Sequence, residues 1–344
     1  MAANRNDFHT DIPLTNVAVA RFQRMTNFVA PFAAARLPVM ALSGLYDKWD
    51  MAAINRDDMH TRGDNDPAQQ TQFRKTQAQY SIPVKSLAVK LNELVQSNSS
   101  VQVKPQAMVP RVLANKAAIN LERQLASLFV STAWYRTITG TAGAESGTSG
   151  GTTASLKKLS DISADPLPRI ANEIQIQGKL TGTEPTGMIF GRSFWRALRY
   201  HPEIRAALSS NGTPIVRNKP ASLVEMAMLL ELEWCGVSKG IHNTAGLNLP
   251  AANDYIVPEA SALLYFRPTS TEGSDDPGSY TNEEPAALAR MVYADAAGNA
   301  DGMRIRALRD EFAGPGGSDH WEIDSFNAYH VVTPEMGTLW LDMV

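Results

Sequence analysis

Cysteine is almost missing from this chain: Cys235 is the only one in 344 residues. A single cysteine closes no intrachain disulfide and builds no cysteine-based zinc or iron–sulfur site. A disulfide framework is therefore excluded, and a reducing compartment fits. Long apolar runs are missing too. No segment approaches the roughly 20 apolar residues of a membrane-spanning helix. The longest apolar-rich run, over residues 223–237, is broken by Glu225, Glu231 and Glu233. The opening residues lack the apolar core of a secretory signal, so the expectation is a protein soluble where it is made, with no membrane partner. Charge of one sign is also lacking: 32 Lys+Arg against 35 Asp+Glu leave a net charge of −3. Bulk electrostatics then exclude strong nucleic-acid binding, which scales with the phosphates neutralised. At 44% hydrophobic and 19% charged residues, wholesale disorder is excluded as well.

The usual chemical motifs are absent. The six histidines, His9, His60, His201, His242, His320 and His330, form no His-x-x-x-His or His-Glu-x-x-His pair. Gly147-Thr-Ser149-Gly-Gly151 matches a nucleophile-elbow pattern in letters only, because that turn needs an apolar strand before it, and Ala142-Gly-Ala-Glu-Ser146 precedes it here. The same loop lacks the terminal Gly-Lys-Ser/Thr of a phosphate cradle, and no dinucleotide fingerprint stands between a strand and a helix. A calcium loop starting at Asp64 needs Glu at its twelfth position, where Lys75 stands. The reading of the residues is no catalytic site, no cofactor and no metal.

What is present is architecture. Residues 1–40 scatter apolar groups among Pro13, Pro31 and Pro38, with Arg5, Arg21, Arg24 and Arg36 against Asp7 and Asp11. This predicts an extended arm with a short helical piece over residues 17–28. Residues 57–79 are strongly polar, with Met59 and Phe73 the only sizeable apolar side chains. Such a segment cannot bury enough apolar area to offset its ordering entropy. Leu42-Ser-Gly-Leu-Tyr46-Asp-Lys-Trp49 precedes it, and Tyr80-Ser-Ile82-Pro-Val84 after it alternates like a strand, so a two-stranded ribbon with a polar tip is expected. Such ribbons are marginal alone and need the body or another subunit to rest on. Residues 87–95 fit a strand or a helix. Leu113, Ala117, Leu121, Leu125 and Leu128 recur at helical spacing and predict a helix over residues 110–132.

Residues 137–155 are rich in Gly, Ser and Thr and are expected as a flexible surface loop. Asp165-Pro166 starts a helix with Ile170 and Ile174 on its buried face. Residues 188–190 predict a strand. Ser193 and Ser222 are expected as helix caps, and residues 234–237, 255–257 and 262–266 as strands. The C-terminal part is β-rich, over residues 289–293, 303–308, 321–326, 329–332 and 338–341. No internal repeat is found. The class is α+β with a protruding arm and ribbon.

In this order of parts the sequence resembles the major capsid proteins of tailed bacteriophages with the Hong Kong 97-type fold. The arm precedes a ribbon over residues 41–92, similar to that family's E-loop. Residues 110–132, ending Leu121-Glu-Arg-Gln-Leu-Ala-Ser-Leu-Phe, resemble its spine helix. Pro185-Thr-Gly-Met-Ile-Phe-Gly-Arg-Ser-Phe-Trp195-Arg-Ala-Leu-Arg-Tyr-His201-Pro-Glu-Ile204 resembles its strand-then-Trp-x-Ala-Leu-x-x-His-Pro-x-Ile passage. Residues 222–243 resemble the following helix, strand and Gly-x-x-x-Asn turn, here Gly240 and Asn243. The resemblance implies a peripheral domain over residues 93–185 and 255–320, and an axial domain over 186–254 and 321–344. It implies hexamers and pentamers closing into an icosahedral shell around double-stranded DNA, a virion location after assembly in the host cytoplasm, and no enzymatic activity. Further implied partners are a separate scaffolding protein, a portal and a decoration protein. Some members join subunits through Lys–Asn bonds. Lys48, Lys75, Lys85 and Asn243 are candidates here, but no catalytic carboxylate is marked, so no cross-link is expected.

On this reading Tyr46, Trp49, Phe73 and Tyr80 anchor the ribbon on a neighbouring subunit, because aromatics dominate interface energetics. Arg56, Arg62, Asp64, Arg74 and Lys75 supply rim ion pairs, each weak alone. Arg5, Arg21, Arg24 and Arg36 are candidates to face DNA. Two rivals remain. One is a cellular nanocompartment (encapsulin-like) shell enclosing cargo enzyme. The other is a soluble hydrolase using His320 or His330 with Asp319 or Asp324.

Overall fold

The computed structural model describes residues 23–49, 55–62, 67–68, 70–71, 75–93, 105–210, 220–246, 249–268, 286–293, 302–311 and 317–344. A short helix α1 (Ala30–Ala33) leads into β1 (Ala35–Val39), and β2 (Ser43–Trp49), β3 (Lys75–Ser81) and β4 (Lys85–Asn92) follow. Next come α2 (Pro105–Leu128), β5 (Arg136–Thr141), β6 (Thr153–Lys157), α3 (Pro166–Thr181), β7 (Gly187–Phe190), α4 (Arg192–Tyr200), α5 (Pro202–Ser210) and α6 (Leu223–Leu229). The chain then runs through β8 (Trp234–Val237), β9 (Ile241–Asn243), β10 (Asn253–Tyr255), β11 (Ala262–Tyr265) and β12 (Leu288–Tyr293). It ends with β13 (Met303–Asp310), β14 (Ser318–Ser325), β15 (Asn327–Val331) and β16 (Gly337–Leu341). The α+β class is as expected.

The centre is a six-stranded mixed sheet in the order β6-β5-β16-β11-β7-β8. Both of its faces are covered, so its inner strands carry unbroken apolar runs instead of an alternation. Met188-Ile-Phe190 and Ala262-Leu-Leu-Tyr265 are buried at every position. Ile189, Leu263, Tyr265 and Leu339 point to one side, against α2 and α1. Met188, Phe190, Ala262, Leu264 and Trp340 point to the other, against α3, α4, α5 and α6.

Helix α2 starts at Pro105, a turn before the expected residue 110, and ends at Leu128, before the expected 132. Pro110 therefore lies inside it, where its ring removes one backbone hydrogen bond. A three-stranded sheet, β13-β14-β4, lies on the N-terminal half of α2 through Val89, Leu91, Trp321, Ile323, Val109 and Leu113. The strand-or-helix choice at residues 87–95 is thus settled over Lys85–Asn92 as strand, in register Leu87↔Ile323, Val89↔Trp321 and Leu91↔Asp319. A third sheet, β1-β12-β15, joins the arm to the body through a parallel β1–β12 ladder.

Several expectations need correction. Part of the arm is core: Phe28, Val29, Ala30, Ala33 and Ala34 are buried, while Phe32 and Met40 stay exposed. Of the helix expected over residues 17–28, the described part is only a 3-10 turn at Met25–Asn27, and the rest lies outside the described residues. The supposed flexible loop over residues 137–155 is bounded by β5 and β6, which pair in parallel and bury Ile138, Ala154 and Leu156. Ser193 does not cap α4; Gly191 does, and the Ser193 hydroxyl donates to Glu259. Asp165 stands at the start of α3 without a side-chain capping bond. The strand expected at residues 255–257 runs instead from Asn253 to Tyr255. The Ser222 cap is as expected, and Glu225 completes a capping box with it. The six-stranded sheet draws on segments assigned to both expected domains: β5, β6 and β11 lie beside β7, β8 and β16.

Two buried charged groups tie distant segments together. Glu122, on α2, is fully buried. It accepts the Val29 and Ala30 amides at 3.0 and 2.7 Å and the Ser238 hydroxyl at 2.6 Å. Its carboxylate thus satisfies the orphan amides that open α1. Burial holds its pKa above the usual carboxylate range, against the lowering effect of these three hydrogen bonds. Arg136 meets Glu173 with two bonds of 2.5 and 2.7 Å, and both side chains are buried. The same guanidinium donates to the carbonyls of Gly151 and Gly147 at 2.7 and 3.0 Å, which binds the glycine-rich loop to α3.

Removing one member of that pair should cost much more than removing both. Arg136→Met leaves a buried carboxylate unpaired and should destabilise the fold by about 3–5 kcal/mol, while Arg136→Met with Glu173→Leu should recover most of the loss. Urea unfolding of the purified chain reads the difference. Glu122→Gln tests the second group. Because the folded-state pKa of Glu122 is raised, its contribution is fully present below the unfolded-state pKa and is lost as pH rises through the folded-state pKa. Glutamine does not titrate, so unfolding midpoints should move in favour of the variant from pH 4 to pH 8. A pH-independent gap would contradict the assignment.

Candidate functional site

The ribbon is the part of the chain with least core of its own. β2 and β3 pair only with each other, from Ser43↔Ser81 to Trp49↔Lys75. It is held to the body at its base. Tyr80 is buried with Ile82, Met291 and Ala328, and its hydroxyl donates to Ala41 O at 3.3 Å. The Ile82 amide donates to Leu42 O at 2.7 Å, and His330 Nε2 lies 3.2 Å from Ser81 O. Gly44 faces Tyr80 across the ladder; a Cβ there would come within 2.9 Å of the ring, so glycine is what lets Tyr80 fold over the strand. Farther out, Lys75 reaches Asp47 at 2.9 Å and Gln77 donates to the same carboxylate at 3.1 Å. These two hydrogen bonds hold the Asp47 carboxyl below its usual range. Lys48 Nζ lies 5.9 Å from the centre of the Tyr46 ring. The tip touches the body at Asn55, whose amide donates to Thr181 O at the end of α3.

What the ribbon leaves open is apolar. Leu45 is 63% exposed, and Met59, near the tip, is 89% exposed. Neither was singled out as an anchor in the sequence, where a lone Leu or Met among polar residues carries no periodic signal. Of the expected anchors, Tyr46 is half-buried and Tyr80 belongs to its own subunit's core instead of a neighbour's. Trp49 ends β2, opposite Lys75. Phe73, Asp64 and Arg74 lie outside the described residues. Arg56 and Arg62 are exposed near the tip, while Lys75 is paired within the ribbon. Among the four arginines expected to face DNA, Arg24 is exposed and Arg36 is half-buried in β1. Arg5 and Arg21 lie outside the described residues.

Among the described residues His320 and His330 are not brought together. His320, on β14, contacts the Ser318 hydroxyl, while His330, on β15 of another sheet, contacts a backbone carbonyl. Asp324 is buried under Arg304 and Arg306, at 3.5 and 3.1 Å, and accepts the Ser86 hydroxyl at 2.8 Å. Among the described residues no group of three His, Cys, Asp or Glu side chains is placed to hold a metal ion. Burial pushes the Cys235 thiol up to about 12, far from the thiolate a nucleophile needs. Asn243 serves a turn, its side-chain oxygen accepting the Ala245 and Ala252 amides at 3.0 Å each. No described helix is long and apolar enough to cross a membrane.

No protein-family model matches the sequence, and no curated protein is detectably similar to it. Solved structures do share its shape. A phage-related protein from Bordetella bronchiseptica RB50 superposes with a TM-score of 0.62 at 15% identity, covering 96% of each chain. The capsid protein of the cyanophage P-SCSP1u gives 0.55 at 7% identity, over 99% of this chain and 92% of that one. The holo-SrpI encapsulin complex from Synechococcus elongatus PCC 7942 gives 0.51 at 11% identity, covering 98% of this chain and 96% of that one. Near-complete coverage at such low identity is agreement in fold, and it spans the ribbon and spine helix as well as the central sheet. The chain has the capsid-shell fold of the Hong Kong 97 type.

Proposed function

We propose that the chain is the major head protein of a tailed phage, a structural protein without a reaction of its own. It assembles into hexamers and pentamers that close into an icosahedral shell around double-stranded DNA. The observation that carries this reading is the ribbon: a two-stranded element with its own exposed apolar groups, attached to a body with this fold. A surface of this kind gains stability only when it lies on another molecule. Contacts between unlike patches of identical subunits close into rings, which is the geometry of a capsomer. A scaffolding protein, a portal and a decoration protein are the further partners of this reading, and the assembled virion is its location.

The encapsulin structure with the same fold supports a second reading, a shell around protein cargo. The contents of particles purified from the native source separate the two: nuclease-protected double-stranded DNA supports the first, and protein cargo without nucleic acid supports the second.

The ribbon's role is tested by excising residues 50–74 and joining Trp49 to Lys75, its ladder partner, through an Asn-Gly turn. Electron microscopy should show closed shells for the wild type and none for the variant, while far-UV circular dichroism and thermal unfolding of the dissociated body stay close to wild type. Normal shells from the variant would remove the ribbon from the assembly mechanism.

A further inference from the structure

Two unpaired surfaces of opposite charge lie on the same helical layer. The first is on α4. Arg192, Arg196 and Arg199 stand at positions i, i+4 and i+7, on one stripe opposite the buried Phe194, Trp195 and Leu198. The helix has no acidic residue, and Arg192 occupies its first turn. Like charges at this spacing repel, and a cation at a helix N-terminus opposes the macrodipole. Local stability therefore does not explain the stripe. Nor does an internal partner. Among the described residues no ion pair joins any of the three arginines to a carboxylate. Arg199 lies over the Trp195 and Tyr200 rings at 5.6 and 5.4 Å, and its Nε is buried without a partner. Tyr200 beside it is 52% exposed.

The second surface is the outer side and end of α6. Val224 and Met228, one turn apart, are 64% and 76% exposed. Glu231 and Glu233 follow directly, both exposed, with the buried Leu232 between them. Their backbone is fixed: Leu232 N donates to Ala227 O at 2.9 Å and Glu233 N to Thr186 O at 3.0 Å. Glu231 holds φ 56°, a left-handed conformation that a non-glycine residue adopts at a cost. Neither carboxylate has an ion-pair partner among the described residues.

We propose that these two surfaces bind each other between copies of this chain, the α4 arginine stripe of one subunit docking on the acidic, apolar end of α6 of the next. This rests on the shell reading and names one contact that closes the ring. The argument for a second copy is complementarity. Three guanidinium groups, that of Arg199 held over two rings, with an exposed tyrosine face two exposed carboxylates on fixed backbone with an exposed Val and Met. Arginine, tyrosine and methionine are the residues enriched where subunits meet. The patches are unlike, so the contact is head-to-tail and propagates around a ring.

A charge swap tests it in the full-length chain. Arg192→Glu with Arg196→Glu on one side, and Glu231→Arg with Glu233→Arg on the other, should each lose rings and shells in electron microscopy and sedimentation. Circular dichroism and thermal unfolding should show folded subunits in both. The variant carrying all four changes should regain rings. Shells that persist in either single-sided variant would overturn the proposal, and so would loss that the fourfold variant does not rescue, the result expected if the stripe serves a nucleic acid instead. Failure of the wild type to form rings would instead sink the shell reading itself.

Discussion

The three hydrogen bonds to Glu122 bring together segments 92 to 116 residues from it along the chain. One carboxylate on the spine helix satisfies the first amides of α1 and the hydroxyl of Ser238 after β8. Around it, Tyr329 and Tyr265 donate their hydroxyls to the carbonyls of Ala30 and Ala33. Gln23 exchanges two hydrogen bonds with the backbone of Ile241. A short helix of four residues has no stability of its own. Its place comes from a buried anion, two buried phenols and the apolar groups around Phe28. The spine helix, the central sheet and the β1–β12 ladder all meet at this point.

That arrangement explains how the chain is built from thin layers. The central sheet is covered on one face by the spine helix and the N-terminal segment, and on the other by α3 to α6. The outlying sheets take their apolar support from the same spine: β4 and β14 lie on α2, and β12 and β15 on the residues around it. The ribbon lies beyond this core, held at its base by Tyr80 and Ile82 and touching the body again at Asn55. The division is between a body that is stable by burial and an element that leaves Leu45 and Met59 exposed.

Much of the fold was legible because local signals and burial agreed. The apolar spacing of Leu113 to Leu128 marked the spine helix. A two-stranded ribbon was expected around the polar stretch and is present, but its second strand, Lys75–Ser81, begins inside residues 57–79, and Lys85–Asn92 pairs with β14 instead of the ribbon. Ser222 marked a helix start, where the structure adds Glu225 to the cap. The candidate site was less legible. Tyr80 looked like an interface anchor because aromatic residues are common there, yet Gly44 opposite it makes room for the ring to fold back on its own subunit. The exposed positions that fit an interface, Leu45, Val224 and Met228, carry no mark in a sequence, since an apolar residue is written the same way whether it is covered or not.

By itself the sequence determined the class of fold, the order arm, ribbon, spine helix and helix-covered sheet, and the absence of disulfide chemistry. These follow from composition and from periods of two and 3.6 residues, which are local properties. Only the tertiary structure decided that Phe28, Val29, Ala30, Ala33 and Ala34 are core, that the glycine-rich stretch 142–152 is held down by Arg136, and that Asp324 lies under two arginines. In each case the deciding partner is distant in sequence: Glu122 for Val29, Glu173 for Arg136, Ser86 for Asp324. Burial and pairing at such range depend on which elements stack, and the local pattern does not encode that choice.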